Sequence, residues 1–160
     1  MFNTTIATQI YAKICFEATN SQKKIIENLS EYLSDDDFSR IFVLNGFAGT
    51  GKTTLIAALV AALKELRIKP VLLAPTGRAA KVLARYCGEQ ALTIHKRIYR
   101  QRTNADYESK FSLDFNREQG AVFIVDEASM LSDSTGDGAL FGSGSLLEDL
   151  VSYVRSGRSC

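Results

Sequence analysis

Apolar positions change period several times along the chain, and each change predicts an element. Between Thr4 and Cys15, Ile6, Ile10 and Ile14 recur at intervals of four, the spacing of one helical face. A second set, Ile25, Ile26, Leu29, Tyr32 and Leu33, keeps three-and-four spacing behind Asn20 or Ser21, either of which can cap a helix. The acidic run Asp35-Asp36-Asp37 ends it. "RIFVLNG", Arg40 to Gly46, is instead a short apolar run that predicts a buried strand entering a glycine loop, followed by a helix to about Leu66. "KPVLLAPTG" repeats that plan, with a strand from Val71 to Ala74, a turn from Pro75 to Gly77 and a helix to about Tyr86. "GAVFIVDEASM" predicts a third strand, Ala121 to Val125, ending on two acids. In "LLEDLVSYVRSG", Leu146, Leu147, Leu150, Val151 and Val154 share one face of a last helix.

Strands alternating with helices imply parallel β-α units, hence an α/β fold with one parallel sheet and helices on both faces. Two stretches break the rhythm. Arg97 to Gly120 is polar with mixed charge and reads as an insertion or long loop, and Ser132 to Ser145, "SDSTGDGALFGSGS", reads as a mobile loop. The expected organisation is an N-terminal helical segment, 1–38, before an incomplete P-loop domain, 39–160. The last helix should deliver the chain to one more parallel strand; its end at Cys160 suggests a piece of something longer.

Composition changes this picture little. The 160 residues are 46% hydrophobic and 23% charged with a net charge of +1, values of an ordinary globular domain without a global field. Any affinity for nucleic acid must therefore come from a local patch. Cys15, Cys87 and Cys160 lack metal-ligand spacing and read as reduced thiols, two of them core filler. The N-terminus has no secretory pattern, and the longest apolar run, Leu55 to Leu63, is too short to span a bilayer. The expectation is a cytoplasmic protein without a membrane partner.

Chemistry enters with Gly46-Phe47-Ala48-Gly49-Thr50-Gly51-Lys52-Thr53, which matches G-x-x-x-x-G-K-S/T without a deviation. Glycines let backbone N–H groups close on an anionic phosphate, and the helix that follows points its positive end at the same place. Lys52 supplies a point charge for the outer phosphates and the Thr53 hydroxyl can ligate Mg²⁺; Thr54 is the weaker neighbour, a helix residue more than a ligand. The pattern predicts that ATP binds. Asp126 and Glu127, at the end of another strand, supply what a phosphate loop lacks. Asp126 would meet the Mg²⁺ water shell, and Glu127 would orient or deprotonate the attacking water.

Two further stretches, "APTGRAAKVL" from Ala74 to Leu83 and "TIHKR" from Thr93 to Arg97, narrow the class. In order with "GFAGTGKTT" and "VDEASM", they resemble the superfamily 1 helicases of the RecD-like branch, over roughly Thr19 to Leu131. The resemblance implies translocation on single-stranded DNA, driven by ATP hydrolysis between two RecA-like domains, of which this chain would be the first. It places Thr93 and His95 near the DNA strand and gives Gln22, in "TNSQKKII", the adenine edge. Pro75, Thr76 and Arg78 follow a strand end, where they can meet the phosphodiester backbone. Arg78, Lys81, Arg85, Lys96, Arg97, Arg100 and Arg102 face one acid, Glu89, in that interval, and Tyr99 could stack on a base.

The family's Gly-Asp-x-x-Gln strand and the arginine of a second RecA-like domain do not occur in the sequence. Loss of such an arginine costs about 10³–10⁵ in rate, so this chain is expected to hydrolyse ATP poorly and not to unwind alone. The alternative is a P-loop ATPase of the AAA+ switch or loader type, which gives no reason for "APTGRAAKVL". A small-molecule kinase is disfavoured by the paired acids, and a DNA-binding module without catalysis by the intact loop.

Overall fold

A computed structural model describes residues 2–103, 109–131 and 141–160. The chain opens with α1 (Phe2–Lys13) and α2 (Asn20–Ser34), then α3 (Lys52–Glu65), β1 (Pro70–Ala74), α4 (Gly77–Cys87) and β2 (Ala91–Thr93). There follow α5 (Ile94–Ile98), β3 (Tyr99–Thr103), β4 (Ser109–Leu113), β5 (Val122–Val125), a 3₁₀ turn (Ala128–Met130) and α6 (Leu146–Ser156).

The three-stranded sheet runs β2-β1-β5 and is parallel throughout. β1 lies at its centre and is buried on both faces, which is why "VLLA" is continuously apolar rather than alternating. Leu72 points toward α3 and α4, where it meets Val60 and Leu83; Val71 and Leu73 point the other way, toward Ile94, Ile98, Leu150 and Tyr153 of α5 and α6. Helices therefore cover both faces, the α/β arrangement read from the sequence. α1 and α2 form a further layer on α3, with Ile6, Ile10, Ile26 and Leu29 packed on Leu55, Leu59 and Leu63 in one core. No helix among the described residues is long and apolar enough to cross a membrane.

The expected strand over Arg40–Gly46 does not form. Phe42 and Leu44 pack inward, but Ile41 and Val43 are 61% and 80% exposed, and the segment joins no ladder. A strand exists only where a neighbour satisfies its backbone. The free edge of β5 is met instead by the last residue: the Cys160 N–H donates to Ala121 O at 3.1 Å and the Phe123 N–H donates back to Cys160 O, a parallel bridge. The apolar run was read correctly as apolar; its pairing partner was not in the local sequence.

The presumed loop from Arg97 to Gly120 holds the antiparallel ribbon β3–β4, in register Tyr99↔Leu113 to Thr103↔Ser109. It was missed because few apolar residues mark its inner face: Tyr99, Phe111 and Leu113 pack there with Phe141 and β5. The short β2 and α5 were also unforeseen. Most of the Ser132–Ser145 loop, 132–140, lies outside the described residues. The second helix is capped by Thr19 rather than by Asn20 or Ser21. The three thiols are free, Cys15 exposed and Cys87 and Cys160 half-buried.

Glu118 anchors the connection from the ribbon to β5. Its carboxylate accepts from Lys69 at 2.7 Å and Arg97 at 3.0 Å, and these bonds hold it below the ordinary carboxylate value of 4.5. A depressed acid contributes stability above its unfolded value and loses it as pH falls through the folded one. Glu118→Gln should therefore cost about 1 kcal/mol at pH 7, modest because Lys69 is mostly exposed. Urea unfolding should show the gap between variant and parent closing as pH drops below 4.5.

Candidate nucleotide site

α3 is 14 residues long, about 21 Å, and its C-terminus feeds β1 through a short turn. Its N-terminus must therefore lie at the opposite end, beside the carboxyl ends of the strands. The phosphate loop Gly46–Gly51, the β1 end at Ala74–Thr76, the β2 end at Thr93 and the β5 end at Asp126 thus share one edge of the sheet.

How α3 begins differs from its neighbours. α2, α4, α5 and α6 start at Thr19, Thr76, Thr93 and Ser145, each accepting a backbone N–H with its side-chain oxygen. α3 starts at Gly51, in left-handed backbone with φ 86° and no side-chain cap. Its first-turn N–H groups are left for whatever sits in front of the helix. Gly51 is required by its backbone, a conformation that L side chains rarely adopt, and a Cβ there would also displace the Gln22 amide nitrogen 2.9 Å away. Lys52 curls over the loop, its ammonium donating to Gly46 O and, at 2.7 Å, to Phe47 O. Thr50 closes the same turn, its hydroxyl donating to Phe47 O at 2.8 Å. Ala48, Gly49 and Thr54 are exposed, and Thr53 is half-buried in the first turn of α3.

Gln22 reaches this loop from α2. Its Oε1 accepts the Thr19 N–H at 3.0 Å, completing a capping box, and its Nε2 donates to Thr50 O at 3.4 Å. Both ends of the amide are thus engaged by the protein itself. The capping box was legible: Thr19-Asn20-Ser21-Gln22 has the S/T-x-x-E/Q form that marks a helix start.

Asp126 extends the sheet by one bond, its N–H donating to Leu73 O at 3.0 Å, and its carboxylate accepts the Glu127 N–H at 3.0 Å. Glu127 has φ 55°, a left-handed conformation costing about 1–2 kcal/mol in a residue with a Cβ. That turn puts the exposed Glu127 carboxyl on the sheet edge at the start of the 3₁₀ turn. Among the described residues no group of His, Cys, Asp or Glu forms a metal cluster. A divalent ion held by Asp126 and Thr53 would need phosphate oxygens and water to complete its shell.

The residues assigned to DNA are placed side by side in part. Thr93 pairs with Ala74 across β1 and β2, which sets Thr93 and His95 next to Pro75, Thr76 and Arg78. Thr76 and Thr93 use their hydroxyls as helix caps, accepting from Ala79 and Lys96 at 3.2 Å each. Arg78 and His95 are exposed, the imidazole lying against Tyr99 and Phe141. Tyr99 itself cannot stack on a base, being 9% exposed with its hydroxyl bound to Asp149. The basic excess of the sequence is also smaller in space: Arg97 pairs with Glu118 and Arg100 with Asp114, acids that lie beyond the interval counted.

Comparison with known proteins points to the same class. The ATP-dependent RecD2 DNA helicase of Deinococcus radiodurans is 29% identical over 114 residues, 71% of this chain and 15% of the relative, so the chain spans a small part of that protein's length. A family model described as an AAA domain matches residues 17–140, a span that contains every site residue from Gln22 to Glu127. The chain belongs to this AAA domain family, with the motif order of a RecD-like helicase N-terminal domain.

Proposed function

We propose that the chain is the nucleotide-binding N-terminal motor domain of an ATP-dependent helicase that moves on single-stranded DNA. The observation that carries this reading is the uncapped start of α3, closed over by Lys52 and buttressed by Gln22, on the edge that also bears Asp126. The Gly46–Thr53 backbone and the Lys52 ammonium bind the phosphates, with Lys52 exchanging its two carbonyl acceptors for phosphate oxygens. Gln22 turns its amide from Thr19 and Thr50 to the adenine edge, so that nucleotide binding is felt at the start of α2. Magnesium would supply positive charge that offsets the phosphates, and Thr53 and Asp126 would hold it. Glu127, fixed by its backbone turn, accepts a proton from the attacking water. Pro75, Thr76, Arg78, Thr93 and His95 line the path of the strand, and a second RecA-like domain completes the motor.

The AAA+ switch reading shares the nucleotide half of this proposal but leaves Arg78 and His95 without a role. Fluorescence titration with a labelled ADP analogue decides the first half, and anisotropy with a labelled oligodeoxythymidine the second. Binding should strengthen with Mg²⁺ in the parent, and Asp126→Asn should remove about tenfold of that gain. Oligonucleotide affinity should fall with salt. A chain that binds nucleotide but no oligonucleotide would return the switch reading; one that binds neither would sink both.

A further inference from the structure

We infer that the outer face of α4 is a second nucleic-acid surface, a track that carries single-stranded DNA away from the Pro75–His95 edge along the flank of the domain. Arg78, Lys81, Val82, Arg85 and Tyr86 follow one another at i, i+3, i+4, i+7 and i+8, so they form one stripe on the helix, and all are exposed. The opposite face, Ala80 and Leu83, is buried. The stripe starts at Arg78, in the first turn after the strand edge, and descends with the helix. It therefore continues the proposed DNA path and rests on that reading, while adding residues it does not use.

The charge is free to act. α4 contains no acid, and among the described residues no ion pair forms on Arg78, Lys81 or Arg85. Glu89, the one acid nearby in sequence, is bound to Lys64 of α3. Arg78 and Arg85 stand two turns apart, about 10.5 Å along the axis, which matches about three phosphate steps of a stacked strand at about 3.4 Å each. Tyr86, 64% exposed, offers an open ring beside Arg85 for a base, the role that the buried Tyr99 cannot fill. Protein interfaces are depleted of lysine and favour an apolar centre, whereas cations interleaved with an aromatic ring suit a phosphodiester strand.

Oligodeoxythymidines of about six and about sixteen nucleotides separate the edge from the track. The intact chain should bind the longer one more tightly by more than the statistical gain in sites. Lys81→Ala/Arg85→Ala should weaken the long oligonucleotide about tenfold, lower its log–log salt slope by about 1.4, and leave the short one unchanged. Tyr86→Ala should weaken the long one about fivefold or more without changing that slope. Arg85→Lys should keep the slope. All these positions are exposed, so melting temperatures should stay put, and nucleotide titration should be unaffected. Equal long-oligonucleotide affinity in parent and variants overturns the track while leaving the edge intact. Failure of the parent to bind either length overturns the edge reading and the track with it. An acidic, leucine-containing helical peptide that binds the parent but not Lys81→Ala/Arg85→Ala, with oligonucleotide binding equal in the two, overturns it in favour of a protein partner.

Discussion

Lys52→Ala should weaken the binding of ATP and ADP analogues about 100-fold and leave thermal stability nearly unchanged. Among the described residues its ammonium is held by Gly46 O and Phe47 O, acceptors that water replaces when the side chain is shortened. It opens α3, where alanine is at least as good a helix former. The fold therefore has little to lose. The phosphates lose a charge-assisted contact at close range, of order 3 kcal/mol, which is about 100-fold in affinity. Gly51→Ala should weaken binding as well but by a different route, because its Cβ meets the Gln22 amide and its φ of 86° becomes strained. That variant should also lower the melting temperature, which Lys52→Ala should not. Calorimetric titration with parallel melting curves checks both. Retained affinity in Lys52→Ala would mean that the loop does not grip phosphate.

What the sequence revealed, and what it hid, follows from how local each signal is. The phosphate loop is legible because glycine positions, lysine and hydroxyl all sit within one turn of chain, and α3 forms from the same stretch. β1 was legible because burial on both faces leaves a continuous apolar run from Val71 to Ala74. Arg40–Gly46 has the same kind of run, yet strand formation depends on a partner's backbone, and β5 is met by Cys160 there. The β3–β4 ribbon hid behind polar residues because only one of its faces is covered. Gln22 was found as a motif position, but its bond to Thr50 spans 28 residues and no spacing rule reports it. The same distance effect undid the roles of Arg97, Arg100 and Tyr99, whose partners Glu118, Asp114 and Asp149 come from later elements.

Asp149→Ala should destabilise the fold by about 3 kcal/mol, the largest expected loss for a polar side chain here. Asp149 is 6% exposed in the first turn of α6 and accepts the Tyr99 hydroxyl at 2.6 Å and the Ser143 N–H at 3.0 Å. Gly142 presses against it so closely that a Cβ would stand 2.0 Å from the carboxylate oxygen. One carboxylate thus ties α6, the β3 start and the 141–145 turn together. Truncation leaves the buried Tyr99 hydroxyl without its acceptor, about 1–3 kcal/mol, and removes a charged hydrogen bond of about 1.5–3 kcal/mol. A domain of this size should then melt about 6–12 °C lower. Tyr99→Phe removes the hydroxyl but leaves Asp149 the Ser143 N–H as a donor, and should cost less. The pH dependence separates the two. Burial, and then the bond to Asp149, push the Tyr99 hydroxyl above its ordinary value of 10.0, so the neutral phenol belongs to the fold. That stability is fully present below pH 10.0 and drains away as pH rises toward the folded value. Denaturant unfolding at neutral pH and above pH 10.0 should show the parent losing stability in alkali faster than Tyr99→Phe, because the phenylalanine ring has no proton to lose. Equal losses would mean that the Tyr99–Asp149 bond does not form in solution, and the drop expected for Asp149→Ala should shrink accordingly.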